Sequence, residues 1–496
     1  MKKATTSPLL SIARPVGALF VGLAISMAFC VVAGALLQWW DPVTGDVGSF
    51  LPLSVSALIT GGTGGAMLAL ARRAGSPSLT RQEGILAVAA IWIGAGIFGG
   101  LPFVLGAGVH PVDAFFEAVS GFTTTGATIL VDIEGTLSRP LLLWRSLMQW
   151  LGGMGIVVLF VAIFPNLGVG AKHMYRSEVP GTSAEGLQPR IAETSITLWG
   201  LYAAFTAVQA LLLWALGMSL FEAVCHAFTT MSTGGFSTRN DSVGAFQDPA
   251  IEMVITLFML IAGVNFGLYY GALRRRSMRV FLESIEFKVY VGLVVISTLA
   301  LTVGILPVHP QPLQALRYAI FMVATTITST GYGTDAYMAY PHIALMVVVL
   351  LMFVGASSGS TAGGIKVERA VLLAKLSVAQ VRRSVRPLVV QVVRMGRTAI
   401  PDTVLLDVAA FLAVFMVTLA VSTVLVVLVD GVPLPTAFGA SLSAISNMGP
   451  APWFLNGDNY AGYTHISKIV FSIVMILGRL EFFTLLALLL PDMWRR

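Results

Sequence analysis

Charged side chains are scarce in this sequence of 496 residues, of which only 11% are Asp, Glu, Lys or Arg. A soluble globular domain has about 25%, so a single water-soluble core is excluded. The net charge of +6 does not indicate nucleic acid, because membrane proteins gather Lys and Arg on their cytoplasmic side. The charge balance is therefore that of a polytopic membrane protein.

Residues that usually carry chemistry are also few. The two cysteines, Cys30 and Cys225, lie in apolar stretches, which predicts free thiols and no disulfide framework. The six histidines have no spacing typical of a metal site, and no Ser/His/Asp arrangement is recognisable. We therefore expect that this chain is not an enzyme and that it binds no organic cofactor.

Hydrophobic residues, by contrast, make up 56% of the chain, and the mean hydropathy is +0.85. Stretches of about 20 mostly apolar residues can cross a bilayer as a helix. We predict ten spans, at 15–37, 50–71, 84–107, 141–165, 196–218, 250–273, 288–306, 342–380 (interrupted), 403–429 and 466–490. The first span follows two lysines as a signal peptide would, but it has no clear small-residue cleavage site, so we interpret it as a retained anchor.

The loops between the predicted spans alternate in charge. One set carries most of the basic residues, among them Lys2, Lys3, Arg72, Arg73, Lys172, Arg275, Arg383 and Arg496. The other set is mostly acidic and includes Asp132, Asp241 and Asp458. Because Lys and Arg favour cytoplasmic loops, both termini are expected in the cytoplasm. The acidic outer face would concentrate cations at an entrance.

Four further segments are too short to cross a bilayer and too apolar to be ordinary loops. Each lies on the outer side between two spans and contains a glycine that follows Thr, Ser, Asn or Met residues. The segments are 113–126, 219–234, 316–333 and 436–450, and their glycines Gly126, Gly234, Gly331 and Gly449 are 108, 97 and 118 residues apart. This is an internal repeat of span, short re-entrant helix, glycine turn and span.

The repeated glycine turns predict a pore. Non-helical backbone at membrane depth persists only where it is buried in protein or lines a water-filled path. Four such segments can meet around one axis, where their carbonyl oxygens would replace the hydration shell of a cation. Residues 330–333, Thr-Gly-Tyr-Gly, are close to the TVGYG of potassium-channel filters. One Thr/Ser/Gly cluster is usually a turn, but four copies on one face favour the pore.

Two features lie at mid-membrane depth in the predicted spans. Arg479 is near the middle of the last span, where an arginine costs roughly 2.5–3.5 kcal/mol on insertion scales. We interpret it as facing the pore, and the alternative is an ion pair with Glu481. The Gly- and Ser-rich stretch 354–364 interrupts the eighth span, where no stable helix is expected. It does not match the GxxxxGK[ST] phosphate loop, so a plain helix kink is the alternative to a functional loop.

A family becomes recognisable in these motifs. They are SGFTTTGAT at 120–128, TGGFST at 233–238, TSTGYG at 328–333, GSTAGGIK at 359–366, SNMGP at 446–450 and LGRLEFFT at 477–484. Over nearly its whole length the chain resembles the Trk/Ktr/HKT superfamily of potassium transporters, most of all the bacterial TrkH family. The two leading spans favour the Trk type over the shorter Ktr type. The sequence departs from the family at 450–453, where Pro-Ala-Pro-Trp stands in place of the usual Pro-Gly.

The resemblance implies specific roles for residues of this chain. The K⁺ filter would be formed by Thr124, Thr125, Gly126, Ser232, Thr233, Gly234, Ser329, Thr330, Gly331, Asn447, Met448 and Gly449. An intramembrane gate would be formed by Gly355, Ser357, Gly359, Gly363, Gly364, Lys366 and Arg479. The implied partners are K⁺ as the transported ion, a TrkA-like cytoplasmic ring of nucleotide-binding subunits, membrane lipid and a second copy of the chain.

These observations give one expected function and two alternatives. The expected function is K⁺ uptake across the bacterial cytoplasmic (inner) membrane through the carbonyl filter. A symporter that couples K⁺ to H⁺ or Na⁺ is the first alternative, although few acids lie at midplane depth. A scaffold subunit that no longer conducts is the second. The basic segment 369–397 would bind either anionic lipid or the cytoplasmic ring.

The predicted fold is an all-α polytopic membrane protein. Four span–pore-helix–span repeats of the potassium-channel kind surround one pore, and two extra transmembrane helices precede them. The predicted boundaries are 1–75 for the two leading helices, 80–170 for repeat 1, 190–280 for repeat 2, 281–380 for repeat 3 with the interrupted gating helix, and 400–496 for repeat 4.

Overall fold

The computed structural model describes residues 8–40, 50–73, 80–155, 191–386, 392–396, 398–451, 459–480 and 482–494. Two helices lead the chain, α1 (Pro8–Trp40) and α2 (Phe50–Arg73). A Cβ atom on Gly17 would lie 2.9 Å from the Gly64 carbonyl oxygen, and one on Gly64 would lie 2.7 Å from that of Gly17. These two glycines therefore allow α1 and α2 to pack closely, as small residues do between membrane helices.

The described chain then repeats the same order of elements four times, namely a long outer helix, a short pore helix, an irregular segment with glycine, and a shorter inner helix. We call each of these four repeats a pass. The first pass comprises α3 (Arg81–Ala107), α4 (Pro111–Phe122), the single turn α5 (Ile133–Thr136) and α6 (Arg139–Gly153). The second comprises α7 (Ile191–Ala215), α8 (Leu220–Met231) and α9 (Pro249–Ala262), followed by α10 (Phe266–Arg275) and α11 (Arg279–Glu283).

The third pass comprises α12 (Ile285–Ile305), α13 (Pro312–Ile327) and α14 (His342–Val354), followed by α15 (Val367–Val385). The fourth comprises α16 (Asp402–Asp430), α17 (Leu434–Ser446) and α18 (His465–Arg479), followed by α19 (Phe483–Leu486). Short 3-10 turns lie at Ser242–Phe246, Tyr337–Ala339, Ala487–Leu489 and Pro491–Met493. The hairpin of β1 (Arg394–Met395) and β2 (Thr398–Ala399) pairs Arg394 with Ala399 and is a minor exception to the all-α prediction.

Outer and inner helices differ in length. The outer helices α3, α7, α12 and α16 have 21 to 29 residues, which at about 1.5 Å per residue suffices to cross a bilayer. The inner helices α6, α9, α14 and α18 have 13 to 15 residues and reach only about 20 Å. Among the described residues, six helices are long and apolar enough to span, and they are α1, α2 and the four outer helices.

Of the nine spans predicted without an interruption, two are not single helices in the structure. Predicted span 250–273 bends by 83° between α9 and α10. In predicted span 466–490 the helix α18 ends at Arg479, and the single turn α19 and a 3-10 turn follow it. Packing explains the bend, because a Cβ atom on Gly263 would lie 2.6 Å from the Tyr290 hydroxyl. Asn265 then starts α10 by accepting a hydrogen bond from the Gly267 N–H. Residues 156–165 of predicted span 141–165 lie outside the described residues.

The predicted interruption of the eighth span is present. Helix α14 ends at Val354 and α15 begins at Val367, and the residues between them form no helix. We call residues 355–366 the intramembrane loop. The centre of the molecule is taken by the pore helices and the segments that follow them, where Thr124, Thr233, Ser329 and Asn447 are at most 3% exposed.

Candidate functional site

The four pore helices all end in the same backbone conformation. Each is followed by a left-handed residue, a middle residue and a left-handed glycine. The positive φ angles are 55° and 80° at Thr124 and Gly126, 54° and 75° at Thr233 and Gly235, 53° and 84° at Ser329 and Gly331, and 52° and 88° at Asn447 and Gly449. We call residues 124–126, 233–235, 329–331 and 447–449 the glycine segments.

Each glycine segment is tied to the end of its own pore helix. The N–H of the middle residue donates to the carbonyl five residues earlier, over 2.9 Å for Thr125 to Ser120, 2.9 Å for Gly234 to Thr229, 2.8 Å for Thr330 to Thr325 and 3.0 Å for Met448 to Ser443. This is the pattern of a Schellman motif at a helix C-terminus. Because the C=O of a trans peptide points opposite to its N–H, the carbonyl before each middle residue points away from its pore helix.

The glycine segments also form a closed ring. A Cβ atom on Gly126 would collide with the Gly234 carbonyl oxygen, one on Gly235 with that of Thr330, and one on Gly331 with that of Met448. A Cβ atom on Gly449 would lie 2.7 Å from the Thr125 carbonyl oxygen, which returns to the first segment. Each left-handed glycine thus lies against a middle-residue carbonyl of the next segment, so the contacts run from segment to segment and return to the first.

The structure locates each residue predicted for the filter. In the first, third and fourth segments the predicted residues coincide with the left-handed, middle and glycine positions. In the second, the backbone motif is Thr233, Gly234 and Gly235, one residue later than predicted, and Ser232 is the C-cap of α8. The two adjacent glycines hide the register in the sequence, although Thr233-Gly234-Gly235 matches the Thr-x-Gly spacing of residues 124–126.

Side chains from neighbouring passes brace the glycine segments. The Gln149 amide on α6 donates to the Gly234 carbonyl oxygen over 2.7 Å and accepts from the Phe236 N–H over 3.0 Å. The Asn447 amide donates to the Thr125 hydroxyl and to the Met475 carbonyl, both over 3.0 Å. These bonds connect the second segment to the first pass, and the first segment to the fourth.

Ion pairs surround the pore helices. The buried pair Glu117–Arg145 joins α4 to α6 over 2.7 Å, with side chains 1% and 2% exposed. The Arg145 guanidinium also donates to the Ser237 carbonyl over 3.0 Å and lies 3.4 Å from the centroid of the Phe236 ring. Further pairs are Glu222–Arg239 at 2.7 Å, Glu252–Arg317 at 3.3 Å and Asp113–Lys468 at 2.8 Å. Glu117 and Glu222 are therefore partnered, and Arg145 is a residue that sequence reasoning missed.

Carboxylates line the end of the bundle at which the pore helices begin. Glu134 pairs with Arg239 over 3.1 Å. A hydrogen bond from the Asn240 side chain, and a second from the Gly135 N–H, lower the pKa of Asp132. Asp132 is consequently ionised at neutral pH. The negative charge of Asp132 attracts cations to this end of the bundle.

The intramembrane loop contacts the ends of three pore helices. The Gly363 N–H donates to the Ser329 hydroxyl over 2.6 Å, and the Thr361 hydroxyl donates to the Met231 carbonyl over 3.1 Å. A Cβ atom on Gly363 would collide with the Ser446 carbonyl oxygen. The loop therefore lies directly beneath the glycine segments, on the side where α8, α13 and α17 end.

The other predicted gating residues lie in or beside this loop. Gly355, Gly359, Gly364 and Lys366 have positive φ angles of 69°, 71°, 79° and 82°. The loop is joined to the bend between α9 and α10 by bonds from the Ser357 N–H to the Gly263 carbonyl and from the Phe266 N–H to the Gly359 carbonyl. The Lys366 ammonium donates to the Ala362 carbonyl. The Glu286 carboxylate, on α12, accepts a hydrogen bond from the Ser358 N–H over 2.5 Å.

Arg479 connects the loop to the first pass. Its guanidinium donates to the Thr361 carbonyl over 2.8 Å and to the carbonyls of Gly152 and Gly153 over 2.8 Å and 3.1 Å. The alternative partner, Glu481, lies outside the described residues. Arg479 is therefore placed at the end of α18, between the loop and the end of α6.

Comparison with known proteins identifies the family of this architecture. A family model described as TrkH, cation transport protein, matches residues 65–493. The chain belongs to the TrkH family. TrkH of Salmonella typhimurium, named a Trk system potassium uptake protein, is 39% identical over 424 residues, which are 84% of this chain and 87% of that protein. Its Escherichia coli counterpart is 38% identical over 438 residues, which are 87% of this chain and 90% of that one.

The fold prediction is confirmed by a solved structure. The crystal structure of the potassium transporter TrkH from Vibrio parahaemolyticus matches with a TM-score of 0.86 and 31% identity, and it covers 98% of this chain and 99% of that chain. The TrkH family model begins at residue 65, within α2, so it includes all four passes. Members of the TrkH family are transporters and not enzymes, as predicted for this multi-pass membrane protein.

Proposed function

We propose that this chain takes up K⁺ through a filter formed by the four glycine segments. The observation that carries the proposal is the closed ring, in which each left-handed glycine lies against a carbonyl oxygen of the next segment. Such a ring offers carbonyl oxygens in place of the hydration shell of a monovalent cation. The pore helices end at the ring, and the partial negative charge of their C-termini favours a cation there.

The filter residues of this proposal are those predicted from the sequence, with the second segment set by its backbone. They are Thr124, Thr125, Gly126, Thr233, Gly234, Gly235, Ser329, Thr330, Gly331, Asn447, Met448 and Gly449, and Ser232 lies immediately before the second segment. The relatives named potassium uptake proteins support K⁺ as the transported ion. The four segments differ in sequence, so the side chains around the ring differ from one segment to the next.

The intramembrane loop is the proposed gate. It lies beneath the ring and is connected through Arg479 to two of the four passes. A conducting state requires the loop to leave this position, because backbone that fills the axis blocks the path of a hydrated ion. The guanidinium of Arg479 adds a positive charge below the ring, which opposes the passage of a cation electrostatically.

The proposal includes the membrane in which the chain lies, its orientation and its partners. The distribution of Lys and Arg supports a place in the bacterial inner membrane with both termini in the cytoplasm. The resemblance supports a homodimer that docks on a TrkA-like nucleotide-binding ring. We retain the boundaries 1–75, 80–170, 190–280, 281–380 and 400–496 for the leading helices and the four repeats. The basic helix α15 would face anionic lipid or the ring.

The test is ion flux through the purified chain in liposomes under an imposed K⁺ or Na⁺ gradient. We expect passive flux that favours K⁺ and that Gly331→Ser or Gly235→Ser reduces by more than about tenfold. A left-handed non-glycine residue costs about 1–2 kcal/mol, and the new Cβ atom collides with a carbonyl of the next segment. The matched control is Gly333→Ala, because a Cβ atom there meets nothing within 4 Å.

Other outcomes distinguish the alternatives. Flux that appears only with an H⁺ or Na⁺ gradient would favour a K⁺/H⁺ or K⁺/Na⁺ symporter over a passive filter. Flux that is unchanged in both glycine variants would contradict the ring as the permeation path. A chain that conducts nothing even when Arg479→Ala releases the loop would favour a scaffold subunit.

A further inference from the structure

Two histidines and a carboxylate from different passes meet at the end of the bundle where the pore helices begin. His110 is the N-cap of α4, Asp113 lies in its first turn, and His465 is the first residue of α18. Ligand atoms from the three side chains all lie within 4.8 Å of one another. None of these residues takes part in the filter or in the gate.

The geometry of the cluster leaves metal-binding atoms available. The two imidazole rings stack with centroids 4.1 Å apart and planes inclined by 16°. His110 Nδ1 accepts a hydrogen bond from the Val112 N–H over 3.3 Å, which leaves its Nε2 for another partner. His465 Nδ1 is 3.4 Å from Asp113 Oδ1. Because both imidazole rings are exposed, they can turn about their side-chain torsions to direct nitrogen atoms at one ion.

The donor set matches a particular class of cation. Imidazole nitrogen and carboxylate oxygen are ligands of Zn²⁺, which accepts three protein ligands and a water in a tetrahedral site. A charged neighbour that opposes a cation is Lys468, whose ammonium is 2.8 Å from Asp113 Oδ1. A carboxylate has two oxygens, so Asp113 can retain Lys468 on one oxygen and use the other for a metal.

We propose that His110, Asp113 and His465 form a binding site for a divalent transition-metal ion, with Zn²⁺ as its probe. The ligands come from α4 and α18, so the bound ion cross-links the first and fourth passes at their outer ends. The other ends of these helices carry Thr124 and Arg479, respectively. A ligand that binds only the folded chain also raises its stability, and this effect does not depend on the proposed transport function.

Calorimetric titration of the full chain with Zn²⁺ in detergent tests the proposal. The protein is purified with a tag that contains no histidine. We expect one saturable site per chain and a binding constant that His110→Ala or His465→Ala weakens by more than about tenfold. The matched control is His342→Ala, since His342 is another exposed histidine that begins a helix. It should leave the binding constant unchanged.

Two further measurements keep the result independent of folding. Co²⁺ in place of Zn²⁺ should give the visible absorption of a tetrahedral site in the wild type, and the His110→Ala/His465→Ala double variant should lack it. The double variant should elute as the wild type does and lose the rise in thermal midpoint that Zn²⁺ produces. The proposal is overturned if the wild type shows no saturable site, or if the folded double variant binds Zn²⁺ as tightly as the wild type.

Discussion

The glycine segments and the intramembrane loop touch each other, yet they are held in different ways. Each glycine segment is tied to its own pore helix by backbone hydrogen bonds, and ion pairs brace the pore helices α4, α8 and α13. The loop has two backbone hydrogen bonds to the bend between α9 and α10, and it also depends on side chains that reach it from outside, among them Ser329, Arg479 and Glu286. Movement of a glycine segment therefore disturbs the end of its own pore helix, whereas substitution of a few side chains weakens the attachment of the loop.

The largest expected effect is a loss of folding stability when an ion pair beside a pore helix is broken. Arg145→Ala leaves the Glu117 carboxylate buried without its partner, and breaking a buried ion pair in this way costs about 3–5 kcal/mol. We expect a clear fall in the thermal unfolding midpoint of the detergent-solubilised chain. The control is Arg275→Ala, because the Arg275–Glu283 pair is 3.6 Å long with both side chains about two-thirds exposed and contributes about 0–1 kcal/mol.

A double variant separates the ion pair from simple packing. Glu117→Gln with Arg145→Met removes both charges and keeps similar volumes, so no lone charge remains buried. We expect it to be more stable than Arg145→Ala, as in other proteins where a buried pair was replaced by uncharged residues. If Arg145→Ala unfolds no earlier than Arg275→Ala, the buried pair does not brace the pore helix.

The repeated parts of the molecule could be predicted from sequence, and the contacts between them could not. A glycine that follows Thr, Ser, Asn or Met lies within a few residues of the end of each pore helix, so local sequence predicts the four segments. The break at Gly263 was missed because α9 and α10 together are long and apolar enough to pass for one span, and Tyr290, which packs there, belongs to the next pass. Arg145 was missed for a related reason, since it lies in an apolar stretch and its partner Glu117 is on another helix.

The register of the second glycine segment also depends on a contact between passes that could not be predicted from sequence. Both Gly234 and Gly235 tolerate a left-handed conformation, so composition alone does not choose between them. The choice follows from the Gln149 side chain, which holds the Gly234 carbonyl and the Phe236 N–H. The assignment of filter and gate residues stays a prediction until flux is measured.

Of the two residues that we test for contacts with the intramembrane loop, Arg479 should affect K⁺ flux more than Glu286 does. It removes three hydrogen bonds to carbonyl oxygens of the loop and α6, and a bond to a charged group contributes about 1.5–3 kcal/mol. We expect K⁺ flux in liposomes to rise about tenfold or more, because the loop is then no longer held to α18 and to the end of α6. Unchanged K⁺ flux would remove Arg479 from both the gate and the permeation path. Arg275→Ala again serves as the control for loss of one positive charge.

The smallest effect is expected at Glu286, whose carboxylate makes one hydrogen bond to the loop. Glu286→Ala removes the acceptor of the Ser358 N–H, and a net loss of about 1 kcal/mol should raise K⁺ flux several-fold. Glu286→Gln keeps a carbonyl oxygen that can accept from the Ser358 N–H, so its flux should fall between those of the Ala variant and the wild type. The control is Glu283→Ala, since Glu283 is 67% exposed on α11. Equal flux in the Ala, Gln and wild-type chains would show that the loop does not depend on this bond, and the difference between loop and filter would then rest on Arg479 and Ser329.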